Sequence, residues 1–317
     1  TFEVLRPGIL TTVQDLGRPG FARYGVAPSG ALDAFALRVA NLLVGNPEDT
    51  AALETTVMGL RLKALRDVVA AVTGADLKPM RGRESMAMWR SHRIRAGEVI
   101  AFPGPAGGMR SYIAVSGGID VTPVLGSRST NLPSGFGGVA GRALRKGDIL
   151  YRAVVENELR FAGRAFEPAW VPAYPSRWRL RVVWGPQDDQ FTEEGRQAFV
   201  TGIFRVSPDS DRTGIRLKGP AVSHRPGLSE SIISEGVIAG AIQVPGDGQP
   251  IIILAETTTG GYRKIATVIS ADLPLLGRIM PGNEVAFSAV TLDGAVQALR
   301  ESEEKIGEFK KRLAALS

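Results

Sequence analysis

Three short motifs occur twice along this chain in the same order, and that degenerate repeat constrains the fold more than any other feature. Asp33-Ala-Phe-Ala-Leu37-Arg38 is matched by Asp211-Arg-Thr-Gly-Ile215-Arg216. Glu54-Thr-Thr-Val-Met-Gly59-Leu-Arg-Leu62 is matched by Glu235-Gly-Val-Ile-Ala-Gly240-Ala-Ile-Gln-Val244, and Gly97-Glu-Val-Ile-Ala-Phe102 by Gly282-Asn-Glu-Val-Ala-Phe287. The offsets between partners grow slowly, as small loop insertions would make them. Two similarly folded halves are expected, residues 1–172 and 173–317. Each would carry a helix-initiating Asp, a Glu-x4-Gly turn into a strand, and a closing strand after a glycine. The seam falls at Phe166-Glu-Pro-Ala-Trp-Val-Pro-Ala-Tyr-Pro-Ser176, which is too apolar for a free tether and is expected to pack between the halves. The first half holds an extra segment, about Tyr112 to Leu150, with no counterpart in the second.

Within the halves most apolar segments are short and bounded by Gly, Pro, Asp or Asn. Examples are Val68–Val72, Tyr112–Val115, Arg179–Trp184 and Ile251–Leu254. Short runs rich in β-branched residues read as strands. Two segments read as helices. Leu32 to Leu43 has Leu32, Phe35, Val39 and Leu42 at helical spacing, with Ser29 or Asp33 as its cap. Thr291 to Leu316 places Val296, Leu299, Ile306, Phe309 and Leu313 on one side and forms the terminal helix. The fold class is mainly β with a few helices.

Composition narrows the chemistry. There is no Cys, which removes disulfides, thiolate nucleophiles and Cys-based metal sites. Two His are too few for a histidine metal centre, and both His92 and His224 read as surface imidazoles, so no metal is expected. The net charge of +6 favours acidic partners, but the densest cationic cluster, Arg81 to Arg95, lacks the interleaved aromatics of a nucleic-acid surface. The N-terminus has no signal-peptide layout, and no apolar run approaches the ~20 residues that span a bilayer. A cytoplasmic setting, without nucleic acid or membrane, is the expectation.

The densest polar constellation is Glu256-Thr-Thr-Thr-Gly-Gly-Tyr-Arg-Lys264, which comes after the strand at 251–254. A carboxylate, hydroxyls, a cation and glycines that admit a ligand close to the backbone suit a small polar ligand. Glu256 and Lys264 are the candidate catalytic groups there, with Thr258, Thr259, Gly260, Gly261 and Tyr262 binding substrate. Ser207-Pro-Asp-Ser-Asp-Arg212 offers Asp211 as a third catalytic candidate, and Arg212 as a binding group. The same residues also suit an Asx-type helix start. Gln243 is a further binding candidate. Ser127 and Arg128, in Gly126-Ser-Arg-Ser-Thr-Asn131, suit a carboxylate or phosphate. The glycines from Ser134 to Arg142 read as a mobile loop over a site. Neither a P-loop nor a dinucleotide fingerprint occurs.

Several of these motifs together resemble one family. Thr11-Thr-Val-Gln-Asp-Leu-Gly-Arg-Pro-Gly20, Pro28-Ser-Gly-Ala-Leu-Asp33, Leu125-Gly-Ser-Arg-Ser-Thr130, Ser210-Asp-Arg-Thr-Gly-Ile-Arg-Leu217, Glu235 to Pro245 and Thr258-Thr-Gly-Gly-Tyr262 are similar to the allophanate hydrolase subunit 2 family. It is also called the Kip antagonist or biotin-dependent carboxyltransferase-like family. The resemblance covers about Val4 to Phe287 and implies a cyclophilin-like β-barrel architecture. It also implies ATP-dependent opening of 5-oxo-L-proline to L-glutamate, with ATP handled at the level of the complex. The implied partners are an allophanate hydrolase subunit 1 (Kip inhibitor-like) protein on a separate polypeptide and a third 5-oxoprolinase subunit. Two other roles occur in the family: a carboxyltransferase component working with biotin on a separate carrier, and a non-enzymatic antagonist of a kinase inhibitor. One departure bears on substrate identity. Glu256-Thr-Thr-Thr stands where the family pattern has Asp-x-Gln-Thr, and Arg263 stands where Pro is common.

Overall fold

The computed structural model describes residues 1–315; Leu316, the expected end of the terminal helix, lies outside the described residues. The chain divides into two compact units. The first comprises Thr1–Arg18, Ser29–Tyr174 and the chain from Glu308, and the second Pro19–Pro28 and Pro175–Gly307. The aromatic segment expected at a seam therefore belongs to the first unit as far as Tyr174. There Phe166 packs edge-on against Phe35 and Phe309, with Trp89 and Trp170 close by.

The first unit contains β1 (Phe2–Pro7), β2 (Leu10–Gln14), α1 (Ala34–Leu43), β3 (Ala52–Thr56), β4 (Leu60–Ala64), β5 (Val68–Asp76), β6 (Met80–Arg81), β7 (Glu84–Ser85), β8 (Arg90–Ile94), β9 (Val99–Ala101), β10 (Gly107–Val115) and β11 (Ile149–Leu150). They form two sheets, β11-β1-β4-β9-β6-β7 and β2-β3-β10-β5-β8. Phe2, Val4, Leu60, Leu62 and Ile100 of one sheet pack against Leu53, Val68, Ala70, Val72 and Ile113 of the other. Strand β4 alternates buried and exposed residues, as a strand with one wet face does. By contrast β5 is buried on both faces, because α1 covers its other side, where Thr73 donates to the Ala36 carbonyl. That explains its unbroken apolar run. Asp33 caps α1 by accepting from the Ala36 amide. Buried Glu54 ties the chain before α1 to the sheet, accepting from the Leu32 amide and the Tyr112 hydroxyl. The expected extra segment from Tyr112 begins inside the central strand β10, so the irregular stretch starts only after Val115.

The second unit contains β12 (Arg177–Trp184), α2 (Glu193–Thr201), β13 (Phe204–Val206), β14 (Gly214–Lys218), β15 (Glu235–Gly236), β16 (Ala241–Val244), β17 (Ile251–Ile253), β18 (Thr259–Gly260), β19 (Arg263–Val268), β20 (Glu284–Ala289) and most of α3 (Leu292–Ala314). Seven strands close a barrel in the order β12-β19-β16-β17-β14-β13-β20, so their ladder has no open edge. The architecture is mainly strands with a few helices, as expected. Helix α2 is an addition to the two helices expected; its Phe199 stacks on Phe287 of β20. On α3, Ile306, Phe309 and Leu313 are buried, but Val296 and Leu299 remain 42% and 38% exposed, so the helix does not bury one continuous stripe.

The repeated motifs map onto local geometry in two of three cases. Gly59 and Gly240 both adopt left-handed backbone just before β4 and β16, and Gly97 and Gly282 do so before β9 and β20. Asp33 and Asp211 differ. Asp211 starts no helix; its carboxylate accepts from the Thr213 and Gly214 amides in an Asx-type turn leading into β14.

Candidate active site

Register builds the site. In the barrel, β14 pairs with β17, β17 with β16, and β16 with β19, so that Arg216, Ile251, Gln243 and Lys264 stand opposite one another in turn. The neighbouring row, Ile215, Ile252, Ile242 and Ala266, is buried in the barrel interior. Side chains alternate along β14, β17 and β16, so Arg216, Ile251 and Gln243 face outward, and a register shift in β19 between Ala266 and Lys264 sets Lys264 opposite Gln243. The ribbon formed by β15 and β18 stands beside this outer face, pairing Glu235 with Gly260 and Gly236 with Thr259.

Between face and ribbon lies a cleft of about 340 Å³. Ile251, Ile253 and Pro245 make it partly apolar; Gln243, Arg216, Thr257, Thr259, Gly260, Gly261 and Tyr262 contribute polar edges and backbone. This is the volume range of small-molecule sites. Gly260 lies against the Gln243 carboxamide, and a side chain there would overlap it. Gln243 donates from Nε2 to the Tyr262 carbonyl at 3.3 Å, an arrangement that turns Oε1 away from that bond.

The candidate residues fall into three groups. Thr259, Gly260, Gly261, Tyr262 and Gln243 line the cleft. The charged candidates of the same unit are engaged with one another or with backbone. Arg212 donates from Nε to Glu256 at 2.6 Å, with both side chains almost fully buried. The Lys264 ammonium donates to Glu235, whose carboxyl also accepts from Gln187 at 2.7 Å. Those two hydrogen bonds hold the Glu235 carboxyl below the ordinary glutamate value. Gln187 accepts in turn from the Lys264 amide, so one carboxamide fixes both partners. Asp211 serves its turn, and the Thr258 carbonyl accepts from the Val237 amide.

Ser127 and Arg128 belong to the first unit. The carboxylate that their motif suits is the chain's own Asp15. It accepts from the Ser127 hydroxyl at 2.6 Å, the Ser129 hydroxyl at 2.5 Å, and the Arg128 and Gly17 amides. The Arg128 guanidinium donates to the Val121 carbonyl. The glycine-rich stretch from Ser134, expected to be a mobile cover, is a set of hydrogen-bonded tight turns. Gly135, Gly137, Gly138 and Gly141 are all left-handed there.

Two cleft features, Arg216 and the floor residue Ile251, were not among the residues expected from sequence. Both also line a neighbouring cleft of about 400 Å³, so the two depressions share a wall. The signal for Arg216 was present in the alternation of Gly214-Ile-Arg-Leu-Lys218, with Ile215 and Leu217 buried and Arg216 and Lys218 out. Among the described residues, no cluster of three or more His, Asp or Glu could hold a metal ion, and no helix is long and apolar enough to cross a membrane.

Known proteins share this arrangement over nearly the whole chain. The carboxyltransferase domain, subdomain A and B, matches residues 24–289. The C subunit of the 5-oxoprolinase of Escherichia coli (strain K12) is 37% identical over 314 residues, 98% of each chain. That of Haemophilus influenzae is 34% identical over 92% of each. Among solved structures, the urea amidolyase of K. lactis superposes with a TM-score of 0.91 at 32% identity, covering 97% of this chain and 20% of the amidolyase. The chain belongs to the family of carboxyltransferase domains with subdomains A and B.

Proposed function

We propose that this chain is the C-type subunit of an ATP-dependent 5-oxoprolinase, opening 5-oxo-L-proline to L-glutamate. In this reading it works in the cytoplasm with a subunit 1-like (Kip inhibitor-like) partner and a third subunit. The observation that carries the reading is the match to the E. coli protein, which covers 98% of both chains at 37% identity. The cleft supports it, because its volume and partly apolar floor suit a small ring.

The substrate lactam would lie over Ile251. The Gln243 carboxamide oxygen would accept from the lactam N–H, and the Thr259 hydroxyl would donate to the lactam oxygen, where negative charge grows as the carbonyl is attacked. Water would supply the new carboxylate oxygen, the ring C–N bond would break, and the nitrogen would leave as the amine of glutamate. ATP, when bound to the complex, would supply the activation of the lactam carbonyl, with a second water consumed as ADP and phosphate are released. ATP is handled at the level of the complex, shared with the partner subunits.

The test is reconstitution: purified subunits, 5-oxoproline and ATP, with glutamate measured. The reading expects glutamate only when this chain is present, and equal rates without it would reject the reading. A second reading is favoured by the superposition on urea amidolyase. Here the same cleft would receive a carboxyl group from biotin on a separate carrier. Transfer of labelled carboxyl from a carboxylated carrier to urea, dependent on this chain, would establish that reading instead.

A further inference from the structure

Among the described residues, Arg216 is the one cation on the wall that the two clefts share. It is exposed, and among the described residues its guanidinium has no acidic partner within salt-bridge distance. The other cations of this face are engaged: Lys264 with Glu235, Arg212 with Glu256, and Lys218 with Asp247 at 3.8 Å. A guanidinium held on a strand beside an apolar floor, with no counter-ion of its own, is suited to bidentate capture of a ligand carboxylate.

Register sets the span. Arg216 and Gln243 are separated by β17 alone, with Ile251 between them. Two strand spacings come to about 9.6 Å. An arginine side chain reaches further than a glutamine, so the two head groups can close on opposite ends of a five-membered ring seated on Ile251. One end would be the ring amide and the other an anionic substituent. Gly214, on the same face of β14, contributes no side chain beside Arg216 and leaves the approach open. Resting on the 5-oxoprolinase reading, we infer that Arg216 is a carboxylate-binding residue. With Gln243 it makes the cleft selective for a small cyclic amide that bears a carboxylate, over an uncharged lactam or urea.

The test compares 5-oxo-L-proline with 2-pyrrolidinone, which has the lactam without the carboxylate. Binding is followed by ligand-observed NMR on the full chain, and KM and kcat on the reconstituted complex. The variants are Arg216→Gln and the charge-keeping Arg216→Lys, each checked for an unchanged thermal midpoint. Loss of one charge-assisted pair should raise KM for 5-oxoproline by about tenfold or more, with a smaller change in kcat. Arg216→Gln should bind both lactams alike, and Arg216→Lys should keep part of the preference. If the complex cleaves 5-oxoproline but Arg216→Gln leaves KM within about twofold, the subsite is overturned and the activity stands. If no glutamate forms, yet the wild-type chain prefers the carboxylated ring and Arg216→Gln loses that preference, the activity falls and the subsite stands. Equal binding of both lactams by wild type, or binding of neither to chain and complex, overturns the subsite.

Discussion

Arg212 donates from Nε to Glu256 Oε1 at 2.6 Å, and their side chains are only 3% and 2% exposed. The pair joins the turn before β14 to the chain after β17, two segments at one end of the cleft. Removing the carboxylate takes a short, charge-assisted hydrogen bond from the buried Arg212 guanidinium. Glu256→Ala should therefore destabilise the chain by about 1–3 kcal/mol in urea unfolding. If Glu256→Ala unfolds at the wild-type midpoint, the pair does not hold these segments together.

The ribbon beside the cleft is pinned by a different kind of pair. The Lys264 side chain is 7% exposed and Glu235 44%, so water reaches only one end. The hydrogen bonds from Lys264 and Gln187 lower the Glu235 carboxyl below its ordinary value of 4.5. A carboxyl lowered by folding contributes stability above that ordinary value and loses it as pH falls through the folded value. Thermal midpoints of wild type and Glu235→Gln should thus differ at neutral pH and converge in acid well below pH 4.5. A gap that persists unchanged into that acid range would assign the effect to packing.

Much of the strand content of both units was legible because period-two burial leaves its mark on single strands. The run at Val68–Val72 is unbroken because β5 is covered on both faces, while Gly214–Lys218 alternates because only one face is. The cleft was half legible. Thr259, Gly260 and Gly261 stand out as a strand-end cluster, but Arg216 joins them only through the pairing of β14 with β17, a register that no local motif encodes. Asp33 and Asp211 read alike because an N-cap and an Asx turn use the same short hydrogen bonds to amides two or three residues on. The capture of Ser127 and Ser129 by Asp15 spans more than a hundred residues and is a product of the tertiary fold alone.

Gly260 and Gly141 separate function from stability. A Cβ on Gly260 meets the carboxamide end of Gln243, which can swing aside. Gly260→Ala should cost less than about 1 kcal/mol in stability. The displaced Gln243 would no longer face the ring amide, and KM for 5-oxoproline should rise by about tenfold. A Cβ on Gly141 meets the Gly135 carbonyl, with a backbone φ of +70° that disfavours any side chain. Gly141→Ala should lose more than about 1 kcal/mol. Denaturation and steady-state kinetics on both variants check the contrast, and a Gly260→Ala enzyme with normal KM would remove Gln243 from the site.

The two histidines, expected to be surface imidazoles, are half-buried, and burial is the main cause that lowers both below the ordinary value of 6.5. His92 donates from Nε2 to the Ala87 carbonyl with Arg81 and Arg90 nearby, and His224 lies against Phe191 with Arg263 nearby. A histidine lowered by folding is neutral in the native state and takes up a proton more readily when unfolded. Its contribution is therefore complete above pH 6.5 and is lost as pH falls from there through the folded value. Stability measured by urea unfolding should decline below pH 6.5, before the carboxylates titrate, and His92→Gln with His224→Gln should flatten that decline. A double variant as acid-sensitive as wild type would move the titrating group elsewhere.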